Sequence, residues 1–370
     1  MPRRRGFNKL LKPKSAGFPV DWGCVNARFR ARRERRTRAT IVTMMRELRT
    51  LPKAHLHVHL EGAMRATTLA ELAAEAGIPV PETRGYGSFA AFSDMYVAAC
   101  DVLRTPEQLA RLVHEVVEDG VLGGAVWVEP AIYLPHHRER LGPDELVLEI
   151  VLDAAAAAAE HFGVGVGFMV AADRTVDPSD AVEQAHLAVA HADRGVVAFG
   201  LANDETIGPP EIFAEAFTIA RDGGLLSTPH AGELLGPESV RAALDHLGAD
   251  RIQHGVRAIE DPDLVQRVAD AGVCFDVCPT SNLLLSVVPT LEEHPLPALL
   301  AAGVPCSLNG DDPLLFGTNL LEEYEVARDV LGLDDAALAA VAGHSVDAAG
   351  APDSLKLAAR SAIRSWLAAG

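Results

Sequence analysis

Residues 54–62 read AHLHVHLEG, a stretch in which histidines alternate with apolar residues and a glutamate follows. Side chains along a β-strand point alternately to opposite faces, so this stretch has one apolar face and one polar face. His57, His59 and Glu61 share the polar face. The strands of a parallel barrel are covered on both faces, so we expect the histidines to point inward. Because buried imidazoles need partners, the stretch predicts either a metal site or a structural polar face.

Seven further stretches have the composition of buried strands, and amphipathic or Ala-rich helical patterns separate them. Together with the first, the predicted strands span residues 54–60, 125–130, 164–171, 196–202, 224–230, 251–255, 273–279 and 304–310. Strands that alternate with helices pair in parallel through right-handed crossovers. Eight such units predict an α/β protein with a (β/α)8 TIM barrel. We expect residues 80–110 to form a helical insert after the first strand.

Charge divides the chain after residue 43. The formal net charge is −18, yet residues 1–43 contain 13 Lys or Arg and only two acids, Asp21 and Glu34. We interpret residues 1–43 as a disordered extension or an over-long translation start, with a transit-like segment or a nucleic-acid-binding arm as alternatives. Residues 44–370 then form a single domain. Its acidic charge argues against nucleic acid or an anionic membrane as a partner, and the chain has no apolar run long enough to span a bilayer.

Polar residues gather where several predicted strands end. The fifth strand ends in HAGE, which contains His230 and Glu233, and the sixth ends on His254. The eighth ends in LNGDDP, which contains Asp311 and Asp312. Active sites of (β/α)8 barrels assemble at this rim from several strands. Because three histidines and one aspartate suit Zn²⁺, or Fe or Mn, with one position open for water, the clusters together favour the metal site.

The cysteines and the remaining histidines are expected to have structural roles. The five cysteines are scattered, so we expect reduced, mostly buried thiols and a cytoplasmic protein. We expect His55 to be a core polar residue of the first strand. The other nine histidines are expected at the surface or hydrogen-bonded, and they are His114, His136, His137, His161, His186, His191, His246, His294 and His344. The oligomeric state is not predicted.

The motifs LPKAHLHVHLEGA, HAGE, RIQHG and SLNGDDP stand in the order and spacing of one known family. Over about residues 50–365 the sequence resembles the adenosine deaminase family, within the amidohydrolase superfamily. The resemblance implies one divalent metal ion, with Zn²⁺ as the expected metal. The ligands that it implies are His57, His59, His230 and Asp311.

The same resemblance implies the residues that act on a purine. Glu233 is expected to protonate N1, His254 to be the base or orienting group beside a metal-activated water, and Asp312 to bond N7. The substrate contacts that it implies are His59, Glu61, Asn203 and Asp312. Ser281, in CPTSN, is expected near the site.

Three departures from the family pattern lie on the ribose side or in the scaffold. Glu61 stands where the family usually has an Asp that meets the 5′-hydroxyl, Asn203 replaces a glycine that contacts N3, and Ala131 replaces an arginine. The resemblance implies hydrolytic deamination of adenosine or 2′-deoxyadenosine to inosine or 2′-deoxyinosine and ammonia. The alternatives are a 5′-modified adenosine such as 6-aminodeoxyfutalosine, and free adenine. A non-catalytic metal-binding barrel is a more remote alternative.

Overall fold

The computed structural model describes residues 46–369, so the basic extension predicted for residues 1–43 lies outside the described residues. In chain order the strands are β1 (Lys53–His59), β2 (Ala125–Ile132), β3 (Gly165–Val166), β4 (Phe168–Asp173), β5 (Val196–Ala202), β6 (Leu226–Ala231), β7 (Arg251–His254), β8 (Cys274–Val277) and β9 (Cys306–Leu308). The helices are α1 (Ala66–Ala76), α2 (Phe89–Cys100), α3 (Pro106–Leu122), α4 (Arg138–Leu141), α5 (Asp144–Phe162), α6 (Pro178–Ala190), α7 (Ala214–Asp222), α8 (Pro237–Ala242), α9 (Pro262–Ala271), α10 (Pro279–Leu284), α11 (Leu296–Ala301), α12 (Pro313–Phe316), α13 (Leu320–Asp329), α14 (Asp335–Ala348) and α15 (Asp353–Ala368).

The strands form a parallel sheet in the order β1-β2-β4-β5-β6-β7-β8-β9. The sheet closes through a parallel bridge between Val58 and Asp311. There the N–H of His59 donates to the carbonyl of Asp311 at 2.9 Å, and the N–H of Asp311 donates to the carbonyl of His57 at 3.0 Å. The predicted (β/α)8 barrel is therefore confirmed. Closure also brings the residues after β9 beside the histidines of β1.

The third predicted strand is divided in two. Gly165 and Val166 pair with β2, and Gly167 interrupts the strand before β4 begins at Phe168. Side chains of neighbouring strands occupy the space beside Gly167, because a Cβ there would lie 2.7 Å from the Trp127 ring. The division leaves the number of barrel strands at eight, since β3 and β4 together fill one position in the order.

Apolar contacts between strands and helices hold the barrel together. On one side the rings of Phe199 in β5 and Phe217 in α7 lie 5.1 Å apart, and both are fully buried. On the other side Phe275 of β8 and Leu264 of α9 belong to a second buried cluster. Full burial of each such side chain contributes about 1.5–3 kcal/mol. These contacts make the strands a rigid support for the residues at their ends.

The helical insert after the first strand is present but shorter than predicted. It contains α2, which packs against a 3-10 turn at Glu61–Ala63 near the end of β1. The predicted insert extends to residue 110, yet α3 already begins at Pro106. The reason is a capping box, in which the hydroxyl of Thr105 accepts the N–H of Gln108 at 3.3 Å and the Gln108 side chain accepts the N–H of Thr105 at 3.2 Å.

Four of the cysteines lie in the described part of the chain. They are free and buried, as expected, and they are Cys100, Cys274, Cys278 and Cys306. Cys24 lies outside the described residues. Among residues 46–369 no helix combines the length and the apolar character needed to cross a membrane.

Candidate active site

The four predicted metal ligands come together at the carboxyl ends of three strands. His57 and His59 lie on β1, His230 on β6, and Asp311 follows β9. Oδ1 of Asp311 lies 3.1 Å from Nε2 of His57 and 3.4 Å from Nε2 of His59. One ligand atom from each of the four residues lies within 4.8 Å of the others. Around a tetrahedral ion with bonds of about 2.0–2.1 Å, ligand atoms lie about 3.3 Å apart, so the cluster suits one ion.

Main-chain carbonyls orient two of the imidazoles. Nδ1 of His57 lies 3.1 Å from the carbonyl of Asp276, and Nδ1 of His230 lies 3.0 Å from the carbonyl of Leu201. A carbonyl only accepts, so Nδ1 carries the proton and the lone pair of Nε2 points into the cluster. A lone pair and a carboxylate oxygen 3.1 Å apart repel each other unless a cation lies between them. The donor set therefore fits a divalent metal ion.

The backbone is strained at three residues of the site. In the described part of the chain, four non-glycine residues have a positive φ, and they are Asn203 (79°), His254 (67°), Ser286 (59°) and Asp311 (58°). Such conformations typically cost about 1–3 kcal/mol each and persist where the surrounding structure imposes them. Except for Ser286, these residues line the pocket above the barrel. Asn203 therefore occupies a backbone conformation that glycine would adopt without strain.

Glu233 is buried and its loop is held by a second carboxylate. The carboxylate of Glu205 accepts the main-chain N–H groups of residues 232–235 at 2.6, 3.0, 2.6 and 2.8 Å, and it also accepts the hydroxyl of Ser239. Burial, reinforced by Asp311 and Glu205, raises the pKa of Glu233 well above its usual range. The raised pKa favours the protonated form of Glu233, which is the form that can protonate a ring nitrogen.

Asp312 points into a space that only glycine leaves open. A Cβ on Gly62 would lie 1.7 Å from Oδ1 of Asp312, so any larger residue at position 62 would displace the carboxyl group. Within residues 46–369 this Oδ1 is buried and has no hydrogen-bond partner. Burial raises the pKa of Asp312 well above its usual range, and Asp311 adds to the effect. Asp312 can therefore offer either a proton or a lone pair to a ligand.

A pocket with about 710 Å³ of empty space, part of it open to solvent, lies above these residues. Its floor contains His59, His230, Glu233, His254, Asp311 and Asp312. Asn203 also lines it, and its side-chain amide donates to Asp173 at 2.9 Å. The opposite wall is formed by aromatic residues of α2 and of the loop after β2, which are Phe89, Phe92, Tyr96, Tyr133 and His136. The pocket thus combines a polar floor with an aromatic wall, which suits a flat heterocycle.

Glu61 lies behind the pocket wall. Its carboxylate is fully buried, with Oε2 accepting the hydroxyl of Tyr96 at 2.7 Å and Oε1 lying 2.6 Å from Nε2 of His137. Although burial opposes ionisation, His137 and Tyr96 hold the pKa of Glu61 below its usual range. Both oxygens are therefore occupied by protein groups. The position of Glu61 gives no support to its predicted contact with substrate, and Tyr96 lines the pocket in its place.

Several residues near the site carry no recognisable signal in the sequence. His136 and His137, predicted only to be at the surface or hydrogen-bonded, lie at the pocket wall and on Glu61. Ser281 is fully buried and does not line the pocket, whereas its neighbour Asn282 contacts His254. Only Glu205 could have been found from the sequence, because it ends the LANDE stretch that contains Asn203.

The fold and the donor set together define a class of protein. A parallel (β/α)8 barrel with three histidines and an aspartate at the carboxyl ends of its strands is the architecture of a metal-dependent hydrolase. The family model for adenosine deaminase matches residues 52–366. The chain belongs to the adenosine deaminase family, and the sequence-based prediction is confirmed.

Three curated relatives of this chain illustrate the activities named in the family. A Streptomyces coelicolor protein named "Putative adenosine/adenine deaminase" is 46% identical over 340 residues, covering 88% of this chain and 99% of the relative. An adenine deaminase from Chelativorans sp. is 40% identical, covering 81% of this chain and 94% of the relative. An aminodeoxyfutalosine deaminase from Streptomyces coelicolor is 38% identical, covering 80% of each chain.

Solved structures share the fold over most of their length. An adenine deaminase from Arthrobacter aurescens has a TM-score of 0.80 and 30% identity, covering 86% of this chain and 99% of that chain. An amidohydrolase from Burkholderia ambifaria, solved with bound Zn, has a TM-score of 0.80 and 28% identity, covering 87% of this chain and 94% of that chain. The family and these structures identify the protein as a metal-dependent aminohydrolase.

Proposed function

We propose that this protein hydrolyses the 6-amino group of an aminopurine to a 6-oxo group and releases ammonia. The observation that carries the proposal is the arrangement of Glu233, His254 and Asp312 around the four-ligand cluster, on the floor of one pocket. The names of relatives support the same reaction, since each of them is a deaminase of adenine or of an adenosine. A barrel that binds a metal without turnover would not need these three additional groups.

The ligand cluster supplies the nucleophile. A Zn²⁺ ion held by His57, His59, His230 and Asp311 would provide a water with its pKa lowered to about 7, so that attack is feasible at neutral pH. The ligand set, including the imidazoles held by main-chain carbonyls, supports this role. Zn²⁺ is the metal that we propose, and a neighbouring structure contains Zn.

Protein residues handle the protons of the reaction. As the water oxygen bonds to C6, electrons move toward N1, and the buried carboxyl of Glu233 donates its proton there. The C6–N bond then breaks. One proton of the water passes to the amino group, which leaves as ammonia, and the other proton restores Glu233. General acid–base catalysis of this kind contributes roughly 10²–10⁴-fold. Asp312 contacts N7, because its carboxyl group lines the same pocket.

The identity of the group on N9 decides the substrate. The sequence favours adenosine or 2′-deoxyadenosine, and this stays a prediction. The position of Glu61 favours free adenine as a second candidate, because its fully buried carboxylate lies behind Tyr96 and does not line the pocket that a 5′-hydroxyl would enter. The hydroxyl of Tyr96 keeps one lone pair, which can accept the N9–H that only the free base carries.

An assay of ammonia release tests the reaction and ranks the substrates. Purified protein of measured metal content is incubated with adenosine, 2′-deoxyadenosine, a 5′-extended adenosine and adenine. We expect turnover of at least one 6-aminopurine, with loss of activity after chelation and recovery with Zn²⁺. The absence of turnover with all four compounds in the Zn²⁺-loaded protein would contradict the proposed reaction. A higher kcat/KM for adenine than for adenosine would support the inference from Glu61.

A further inference from the structure

A buried chain of hydrogen bonds lies behind His254, on the side of its ring that faces away from the pocket. Nδ1 of His254 lies 3.2 Å from the side-chain nitrogen of Asn282. The side-chain oxygen of Asn282 lies 3.1 Å from Nε2 of His294. The main-chain N–H of Leu296 donates to Nδ1 of His294 at 3.1 Å. The three side chains are almost inaccessible to solvent, with exposed fractions of 1% for His254, 0% for Asn282 and 4% for His294.

One main-chain group sets the direction of every hydrogen bond in this chain. The N–H of Leu296 can only donate, so Nδ1 of His294 is an acceptor without a proton. Burial lowers the pKa of His294 to about 4, so this ring is neutral and its single proton is on Nε2. Nε2–H of His294 must then donate to the oxygen of Asn282, and the amide nitrogen of Asn282 must donate to His254.

The groups that face His254 from the pocket favour the same position for its proton. Nε2 of His254 lies 3.4 Å from Oε1 of Glu233 and 3.8 Å from Oδ2 of Asp311. Both atoms are carboxyl oxygens, and a proton on Nε2 of His254 would face them with favourable charge. A lone pair on that nitrogen would instead face the lone pairs of the ionised Asp311 carboxylate.

We propose that Asn282 and His294 are positioning residues that hold the proton of the His254 imidazole on Nε2. The inference rests on the proposed deamination, and it specifies how His254 takes part. His254 donates a hydrogen bond to the attacking water and orients it, and it does not act as the base. The proton that the water loses goes to the carboxylate of Glu233 once Glu233 has protonated N1, and this group lies 3.4 Å from Nε2 of His254.

The location of the proton can be measured without any assay of activity. The protein is labelled with ¹⁵N-histidine and loaded with Zn²⁺, which is diamagnetic, and the ring nitrogens of His254 are assigned by difference from a His254→Asn variant. We expect a protonated Nε2 and an unprotonated Nδ1. A proton on Nδ1 of His254 would overturn the proposal.

Substitution of Asn282 by Asp should reverse the tautomer. A carboxylate can only accept hydrogen bonds, so it would accept Nε2–H of His294 and also draw the proton of His254 to Nδ1. We expect kcat to fall about tenfold to a hundredfold, the range typical for loss of a hydrogen-bond partner that orients an active-site side chain. KM should change much less, because Asn282, His294 and Leu296 do not line the pocket. An unchanged tautomer in the folded Asn282→Asp protein would contradict the proposal.

A second variant covers the case in which Asn282→Asp does not fold. In His294→Asn the shorter amide can still accept the Leu296 N–H but does not extend to the oxygen of Asn282, so the donor to Asn282 is lost. The His254 proton should then be divided between its two nitrogens, with a smaller loss of kcat. The control is His344→Asn. Nδ1 of His344 also accepts a main-chain N–H, from Cys306 at 3.3 Å, but His344 is not part of the hydrogen-bond chain behind His254. The control should leave the His254 tautomer unchanged. A His294→Asn protein with the proton still on Nε2 alone would overturn the proposal.

The NMR experiment and the turnover assay test separate claims, so either claim can be contradicted without the other. A protein that holds its proton on Nε2 but converts no 6-aminopurine would contradict the proposed function and leave the hydrogen-bond chain supported. An active protein with the His254 proton on Nδ1 would contradict the proposed role of Asn282 and His294 and leave the reaction supported.

Discussion

Two buried polar clusters lie inside the same barrel, and β7 connects them. Arg251, at the start of this strand, belongs to a cluster with Glu129 and Asp276 that we call the arginine cluster. His254, at the end of the strand, belongs to the active site. Nη2 of Arg251 lies 3.0 Å from Oε1 of Glu129, and its Nε lies 3.0 Å from Oδ2 of Asp276. The other oxygen of Glu129 accepts the Trp127 indole N–H at 2.8 Å. In this cluster each charge faces an opposite charge.

The active site has the reverse arrangement. Its carboxyl groups lie beside imidazole lone pairs and beside one another, and Asp312 has an oxygen without a partner among the described residues. Three of its residues also have a positive φ. Electrostatic free energy is favourable in the arginine cluster and unfavourable in the active site until a cation and a ligand bind. The comparison predicts that substitutions in the first cluster reduce stability, while substitutions in the second reduce activity.

The largest expected effect is the loss of turnover in Glu233→Gln. An amide cannot donate the acidic proton that N1 requires, so we expect kcat to fall about 10²–10⁴-fold. Metal content and unfolding free energy should stay near those of the parent protein, because Glu233 is not one of the four ligands. Turnover, metal analysis and urea denaturation check these values. The control is Glu238→Gln, an exposed residue of α8, and normal turnover in Glu233→Gln would refute the N1 role.

The next effect is on stability, in Arg251→Met. Removing the guanidinium leaves Glu129 and Asp276 buried without a counter-charge, which should lower the unfolding free energy by about 3–5 kcal/mol. Denaturation of the Zn²⁺-loaded protein measures the change. The matched control is Arg194→Met, whose partner Asp153 is exposed, so its effect should stay below about 1 kcal/mol. Equal effects of the two substitutions would break the comparison.

A smaller effect is expected at the boundary of the active site, in Gly62→Ala. The added Cβ would overlap Oδ1 of Asp312 and displace this carboxyl group from its position in the pocket. We expect kcat/KM to fall about tenfold to a hundredfold, equivalent to the 1–3 kcal/mol typical of overpacking. Steady-state kinetics measure it. In the control Gly343→Ala the new Cβ would meet only the end of the flexible Arg360 side chain, at 3.0 Å, so the kinetics should not change. Unchanged kinetics in Gly62→Ala would contradict the prediction.

The smallest effect concerns substrate choice, in Tyr96→Phe. The substitution removes the hydrogen bond to Glu61 from a residue that lines the pocket, so we expect about a fivefold loss of kcat/KM, equivalent to roughly 1 kcal/mol. The loss should fall unequally on adenine and adenosine, which competition assays can measure. Tyr133→Phe is the control, because Tyr133 also lines the pocket but its hydroxyl donates to Asp180. Identical substrate ratios in both variants would remove Tyr96 from substrate selection.

The sequence was informative wherever neighbouring residues shared one strand end. The ligand motifs could be recognised because alternation on β1 and the position of HAGE and GDDP at strand ends are local properties. The role of Glu61 could not be read in this way. Its partners Tyr96 and His137 lie 35 and 76 residues away, and only the packing of α2 and the loop after β2 brings them to the carboxylate.

The amino-acid sequence by itself determined the eight-stranded barrel and the family, and it indicated the candidate metal ligands. It did so because side-chain alternation and helix–strand order depend on short segments of chain, and because the motifs at the strand ends resemble those of one family, which implies the ligands. Only the tertiary structure decided which polar groups are occupied and which are free. Whether Glu61 reaches a substrate, or which nitrogen of His254 holds a proton, depends on hydrogen bonds between residues distant in sequence. The direction of those bonds is set by groups such as the Leu296 N–H, whose local sequence indicates no function.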